Sequence, residues 1–204
     1  MQRHNQTRAK IVKTALDLYV IYGIKKTTVE DVSDKCGITR ATVYRYFSDK
    51  EDLVRASFMF MVEIIQETLA ELDAHKNYDT KKSTERVKYA ISRLPQGDIP
   101  GCVNELKLLY PDIFAEYRDA RLASITGTYK HVFDTAKKEG LLTANDDTWE
   151  LMPSILAEAT LYITESPLVL SHGIPFKEIY ANLVDLLLYG VMSRRKRHIA
   201  SPRA

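Results

Sequence analysis

An all-α fold is predicted from three features of the chain. Gly (8) and Pro (7) make up about 7% of the 204 residues, against roughly 12% in an average protein, a scarcity that favours long helices over turn-rich sheets. Apolar residues recur at helical spacing, i with i+3 or i+4, and no alternating stretch competes with that period. The breakers that exist, chiefly Gly23, Gly37, Pro111, Gly140 and Pro175, fall where the periodic segments begin or end. About nine helices are expected, with no internal repeat.

Taken in order, Thr7 is read as the cap of a first helix whose inner face carries Ile11, Ala15, Leu18 and Tyr22, with Gly23 just past its end. Thr27 and Thr28 precede Glu30 and Asp31, a capping threonine followed by acids in the first turn. That opens a short helix from Val29 to Lys35, with Val32 and Cys36 inward and Gly37 at its end. Thr39 opens another short helix. Ser48 to Glu51 reads as a capping box that launches a long helix to about Asp73, with Leu53, Ala56, Phe60, Ile64 and Leu69 inward. His75 to Lys82 is polar and loop-like, and a helix follows from about Thr84 to Leu94. Pro95 to Gly101 is a break. Further helices are expected at 102–109, from Pro111 to Lys138, from Asp146 to Glu165 and from Pro175 to Met192. Pro153 is placed either in the first turn of its helix or at a kink.

Composition narrows the classes of function. Hydrophobic residues make up 45% and charged residues 27%, enough for a sizeable core and too apolar for a disordered chain. No run approaches the roughly 18 apolar residues of a membrane helix, and the N-terminus lacks the apolar core of a signal peptide. Two cysteines, Cys36 and Cys102, form neither a disulfide framework nor a zinc cluster, which points to a reducing, cytoplasmic setting. The formal net charge of +2 says nothing of nucleic acid, yet it averages over unlike zones. Lys and Arg outnumber Asp and Glu by eleven to seven over residues 1–60, fall behind by thirteen to twenty over 61–193, and stand at five to none over 194–204. A basic N-terminal module on an acidic body suits a polyanionic partner.

Residues Val29 to Tyr46 fit a helix-turn-helix. The first helix needs a small residue where the two cross, and Ser33 is there. Four positions on, the turn needs a positive φ, which Gly37 adopts without a Cβ penalty. Ile38 and Val43 then anchor the second helix, Thr39 to Phe47. Its exposed side carries Thr39, Arg40, Thr42, Tyr44 and Arg45: hydroxyls, a phenol and guanidiniums suited to phosphates and base edges in a major groove.

Residues 7–58 resemble the DNA-binding domain of the TetR family of bacterial transcription regulators. The carriers are Gly23, Thr27-Thr28-Val29, Asp31-Val32, Cys36-Gly37-Ile38-Thr39 and the run Tyr44 to Leu53, of the form Y-x-Y-F-x-x-K-x-x-L. The resemblance implies DNA-binding roles for Thr28, Thr39, Arg40, Thr42, Tyr44, Arg45 and Lys50. Thr28 caps its helix and meets phosphate there, Tyr44 and Lys50 reach phosphates, and Arg40 and Arg45 read guanine edges. Thr39 and Thr42 touch phosphate or a thymine methyl, while Tyr46 and Phe47 pack the core. It further implies a homodimeric repressor on a palindromic double-stranded DNA operator, released by a small apolar or aromatic ligand held in a C-terminal helical domain. The domains are then 1–48 for the helix-turn-helix, 49–193 for ligand binding and dimerisation, and 194–204 as a basic, flexible tail.

Candidate pocket residues are Met61, Ile65, Leu106, Tyr110, Phe114, Tyr117, Tyr129, Phe133, Trp149 and Met152, apolar and aromatic groups that serve equally as plain core. Candidate dimer residues are Leu156, Ala159 and Ile163 in one helix and Ile179, Leu183, Leu186, Leu187 and Gly190 in the next, where apolar side chains occupy more than one face. No catalytic, nucleotide or metalloprotease motif is present, and no cofactor or metal is expected. His131 and Asp134, spaced i and i+3, read as a surface pair rather than ligands. Two other readings share the scaffold: control by a protein partner, and a helical enzyme or carrier with a vestigial DNA-binding module.

Overall fold

The computed structural model describes residues 2–74, 79–141, 148–166, 175 and 177–186. Every regular element among them is helical. These are α1 (Gln2–Tyr22), α2 (Val29–Cys36), α3 (Arg40–Tyr44), α4 (Lys50–Ala74), α5 (Thr80–Arg93), α6 (Ile99–Leu109), α7 (Pro111–Lys138) and α8 (Thr148–Glu165), followed by α9, described over 177–186. The expected all-α class and nine helices are therefore both observed. Two compact units emerge, Met1–Ile64 with Leu94–Arg121, and Ile65–Arg93 with Leu122–Ala204. A boundary at residue 48 follows the motif alone; the first unit also takes in the start of α4, all of α6 and the start of α7.

In the first unit α1 packs against both α2 and α6. Burial therefore spreads over two adjacent faces, with Ile11, Val12, Ala15, Leu16, Tyr19 and Val20 enclosed. Tyr22, expected inside, is 60% exposed, and Tyr19 takes its place at 1%. Thr7 lies within α1 rather than at its cap. The start of α4 also shifts by one residue. The cap is Asp49, whose carboxylate accepts from Asp52 N at 2.8 Å, while the Asp52 carboxylate accepts from Ser48 N at 3.0 Å. The run Ser48-Asp49-Lys50-Glu51-Asp52 offers two overlapping boxes, and a carboxylate takes the cap over the serine hydroxyl. Along α4, Leu53, Val54, Ser57, Phe58, Met61, Val62 and Ile64 are buried, and Ala56 and Phe60 only half so, because the helix is covered over a wider arc than a single stripe. The break after Pro95 ends earlier than expected, at Ile99. Asp98 caps α6 by accepting from Gly101 N at 2.9 Å, and Pro100 sits in the first turn, where its missing N–H costs nothing.

In the second unit α5 starts at Thr80, not Thr84. Asp79 accepts from Lys82 N at 2.7 Å, and Thr80 donates its amide and hydroxyl to Glu139 at 2.9 and 2.8 Å. The loop expected over His75 to Lys82 is thereby shortened at its end; its residues 75–78 lie outside the described ones. Among the described residues, apolar clusters contribute to the interior. Phe133, Ala136 and Leu141 gather Trp149, Met152 and Leu156. Ile125, Tyr129, Ala157 and Leu161 gather Ile65, Leu122 and again Leu156. Leu69, expected on the inner stripe of α4, is half-buried here, while Thr68 and Leu72 are enclosed. Gly140 ends α7 in the left-handed conformation, φ +68°. Pro153 lies inside α8, beyond the first turn, and removes one N–H from its ladder. Lys88 of α5 pairs with Asp185 of α9 at 2.7 Å. The expected starts at Asp146 and ends at Met192 fall outside the described residues.

Candidate nucleic-acid interface

The helix-turn-helix forms as the sequence requires. Thr28 caps α2, its hydroxyl accepting from Asp31 N at 3.1 Å while the Asp31 carboxylate accepts from Thr28 N at 2.7 Å. The Thr28 hydroxyl also donates to that carboxylate at 2.7 Å. These bonds, the hydroxyl's first, hold the Asp31 carboxyl below its ordinary range, with Lys50 adding to the effect. The Thr28 side chain is thus committed locally, and what α2 presents to an anion is its first-turn amides. At the other end Gly37, φ +67°, donates to Asp34 O and Ile38 donates to Ser33 O, each at 3.0 Å. A Cβ on Gly37 would meet nothing within 4 Å, so the demand for glycine is conformational. Ser33 and Val43 are buried where α2 and α3 meet.

Thr39 caps α3. Its hydroxyl accepts from Thr42 N at 3.1 Å and lies 2.9 Å from the Thr42 hydroxyl, so the two form one polar edge. The helix is shorter than expected, ending at Tyr44, with Arg45 as its cap and a turn through Tyr46. Thr39, Arg40, Tyr44 and Arg45 are exposed and Thr42 half-exposed, so all five are accessible on or beside one short helix. Arg40 pairs at 3.6 Å with Glu30 of α2, an exposed contact that is cheap to give up to a base or phosphate. Phe47 is buried beneath the Arg8 guanidinium, 5.2 Å from its ring centre, and Tyr46 is half-buried against His4. Lys50 opens α4, with its Nζ donating to Ile24 O at 2.7 Å. Partial burial, opposed by Glu105 and Asp31, moves its ammonium below the ordinary lysine value. An ammonium carries three donors, so this bond leaves capacity for a phosphate.

Several contributors escaped the sequence reading. Lys10 of α1 donates to Cys36 O at 2.9 Å and so closes the C-terminal end of α2. Glu30 orients Arg40, Arg8 covers Phe47, and Glu105 reaches the α1–α2 turn from α6. No local pattern marks such long-range partners, although Lys10 is at least visible as charge on α1.

The pocket candidates divide between the units. Met61, Leu106, Tyr110, Phe114 and Tyr117 belong to the first, where Met61, Leu106 and Tyr117 are buried and Tyr117 meets Phe58 edge-to-face at 5.4 Å. Ile65, Tyr129, Phe133, Trp149 and Met152 belong to the second, split between its two apolar clusters. Among the dimer candidates, Leu156, Ala159, Ile163, Ile179 and Leu183 are half-buried within their own unit and Leu186 is 69% exposed; Leu187 and Gly190 lie outside the described residues. The outward face of α8 is carried instead by Leu151, Ile155 and Tyr162, which are 63%, 51% and 75% exposed. Their spacing, with Ala159 between, traces a single helical face. His131 pairs with Asp73 at 2.8 Å rather than with Asp134. Among the described residues no three His, Cys, Asp or Glu are grouped to hold a metal, and no helix is long and apolar enough to cross a membrane.

The model of the family described as "Bacterial regulatory proteins, tetR family" matches residues 11–57, the span of α1 through the start of α4. Residues 11–57 thus match the N-terminal domain of the TetR family. The Escherichia coli K12 protein described as "Probable acrEF/envCD operon repressor" is 28% identical over 121 residues, 58% of this chain and 52% of that protein. The Pseudomonas putida regulator TtgR is 35% identical over 51 residues, 25% of this chain and 24% of that one. The chain thus spans about half the length, or less, of the curated relatives it matches. A TetR-family structure from Mesorhizobium loti superposes with a TM-score of 0.61 at 18% identity, covering 94% of this chain and 97% of that one. A regulator from Saccharomonospora viridis, solved with choline, gives 0.60 at 20%, covering 91% and 97%. These two likenesses are of fold: the TetR arrangement of a helix-turn-helix head followed by further helices.

Proposed function

We propose that the chain is a transcription regulator of the repressor type that reads double-stranded DNA with α3. The observation that carries this is the α2–α3 pair, both helices capped by threonine, with Thr39, Arg40, Thr42, Tyr44 and Arg45 all accessible on or beside α3. Arg40 and Arg45 read base edges; Thr28, through the end of α2 that it caps, and Tyr44 and Lys50 set the backbone register on phosphates. Thr39 and Thr42 complete the contact. The functional head is residues 1–48, and residues 49–193 carry ligand binding and dimerisation.

Two copies meet through α8 and α9. Leu151, Ile155, Tyr162 and the exposed Leu186 extend the half-buried set Leu156, Ala159, Ile163, Ile179 and Leu183, and a solvent-facing apolar stripe of this kind calls for a partner. The dimer presents its heads to palindromic half-sites about one helical turn, ~34–36 Å, apart. A small apolar or aromatic ligand held by the helical domain favours a different head spacing and releases the operator. The apolar, aromatic environment of Trp149, with Phe133 at 5.9 Å, supports that ligand class. Selection from a pool of random duplexes tests the reading. A two-fold symmetric sequence should emerge, with affinity falling steeply as salt rises; enrichment of no sequence would refute it.

A further inference from the structure

The turn between α1 and α2 is held by a helix far from it in sequence but within the same compact unit. In a continuing helix Val20 O would meet Ile24 N. Instead Val20 O accepts from Asp98 N, at the start of α6, at 2.9 Å. The freed Ile24 N–H donates to Glu105 Oε2 of α6, and Lys25 N–H reaches the same oxygen at 3.3 Å. From the other side Lys50 Nζ donates to Ile24 O. Both faces of this seam are glycines. A Cβ on Gly23 would lie 2.9 Å from Glu105 Oε2, and one on Gly97 would lie 2.5 Å from Val20 O. Their φ angles of +89° and +139° belong to glycine in any case. From the clamped turn the contacts run on to α2. Thr27 donates its amide and hydroxyl to Gly23 O at 3.2 and 2.9 Å, and Thr28 caps the helix next to it.

Resting on the DNA-binding reading above, we propose that Glu105 is a positioning residue for DNA reading. Its carboxylate, together with the Gly97–Asp98 backbone, caps the end of α1 from outside the head and so sets the direction in which α2 and α3 leave the turn. The head is thereby anchored by α6 as well as by its covalent link to α4. A carboxylate suits the task because one oxygen takes two backbone N–H groups while its charge faces the Lys50 ammonium.

The test uses the full chain as wild type, Glu105→Ala and Glu105→Gln, and a duplex that the wild type enriches from a random pool. Two quantities are read: affinity for that duplex across a salt series, and amide exchange in the segment covering residues 19–27. Glu105→Ala should weaken binding roughly tenfold with an unchanged salt slope, since no phosphate contact is lost. Faster exchange should be confined to the turn. Glu105→Gln keeps an oxygen acceptor and should recover most of the affinity. Wild-type affinity or wild-type exchange in Glu105→Ala overturns the proposal. Faster exchange throughout α1–α3, or no recovery by glutamine, also overturns it, because the residue would then serve stability alone. A wild type that enriches no duplex overturns the DNA-binding reading itself, while the exchange measurement still reports independently whether Glu105 holds the turn.

Discussion

Substituting Gly97 by alanine separates a steric demand from a conformational one. At φ +139° an alanine is strained at about 1–3 kcal/mol, and its Cβ would sit 2.5 Å from Val20 O and 2.9 Å from Val20 C. The loop must then withdraw, which breaks the Asp98 N–H bond to Val20 O and leaves that carbonyl unpaired, a further cost of about 0.5–1.5 kcal/mol. The expected destabilisation is about 2–4 kcal/mol, or roughly 5–15 °C in Tm for a chain of this size. Gly140→Ala is the control. Its φ of +68° is also positive, but nothing lies within 4 Å of the added Cβ, so only the left-handed penalty of about 1–2 kcal/mol applies. Urea unfolding followed by helical circular dichroism measures both. If Gly97→Ala proves no less stable than Gly140→Ala, the close approach of the α5–α6 connection to the end of α1 is not the constraint described.

Other expectations follow from particular groups. Because the folded-state Asp31 carboxyl is depressed, its stabilisation is complete above the ordinary 3.8 and is lost as pH falls through the lower folded value; the urea midpoints of wild type and Asp31→Asn should therefore differ near neutral pH and converge in acid. Burial, with Glu105 and Asp98 adding, pushes the Cys102 thiol up to about 12, so alkylation of Cys102 by iodoacetamide in the mildly alkaline range should be slow until the protein is unfolded. Tyr162→Glu and Ile155→Glu alter exposed positions of α8 and should convert a dimer into a monomer by light scattering with little change in the stability of each chain. Lys50→Met should lower the salt slope of operator binding by about one if its ammonium reaches a phosphate.

What was legible in the sequence was what neighbouring residues decide. Thr28, Thr39, Gly37 and Gly140 mark helix ends because caps and left-handed glycines act within one turn, and Pro111 and Lys138 bound α7 as expected. The exposed surface of α3 was equally readable, since a short helix anchored by Val43 leaves few other ways to face. Errors arose where local signals compete. Ser48 and Asp49 both offer a cap to α4, and the carboxylate takes it. They arose too where packing on two sides widens a buried face, as when Tyr19 rather than Tyr22 turns inward. Hidden altogether were partners set by tertiary contact. Glu105 meets Ile24 across 81 residues, and no periodicity within α6 distinguishes it from an ordinary exposed acid. The apolar face of α8 was visible as excess hydrophobicity, yet which of its residues point outward, Leu151, Ile155 and Tyr162, depends on how α8 packs in its own unit.

If α3 reads base sequence through its arginines, removing both should abolish the preference for one sequence over another. Fluorescence anisotropy of the Arg40→Ala, Arg45→Ala double variant, on the enriched palindrome and on a scrambled duplex of the same length, tests it most directly. Affinity for the palindrome should fall by about 2–6 kcal/mol towards that for the scrambled duplex, each arginine contributing about 1–3 kcal/mol of discrimination. Undiminished preference for the palindrome would contradict it.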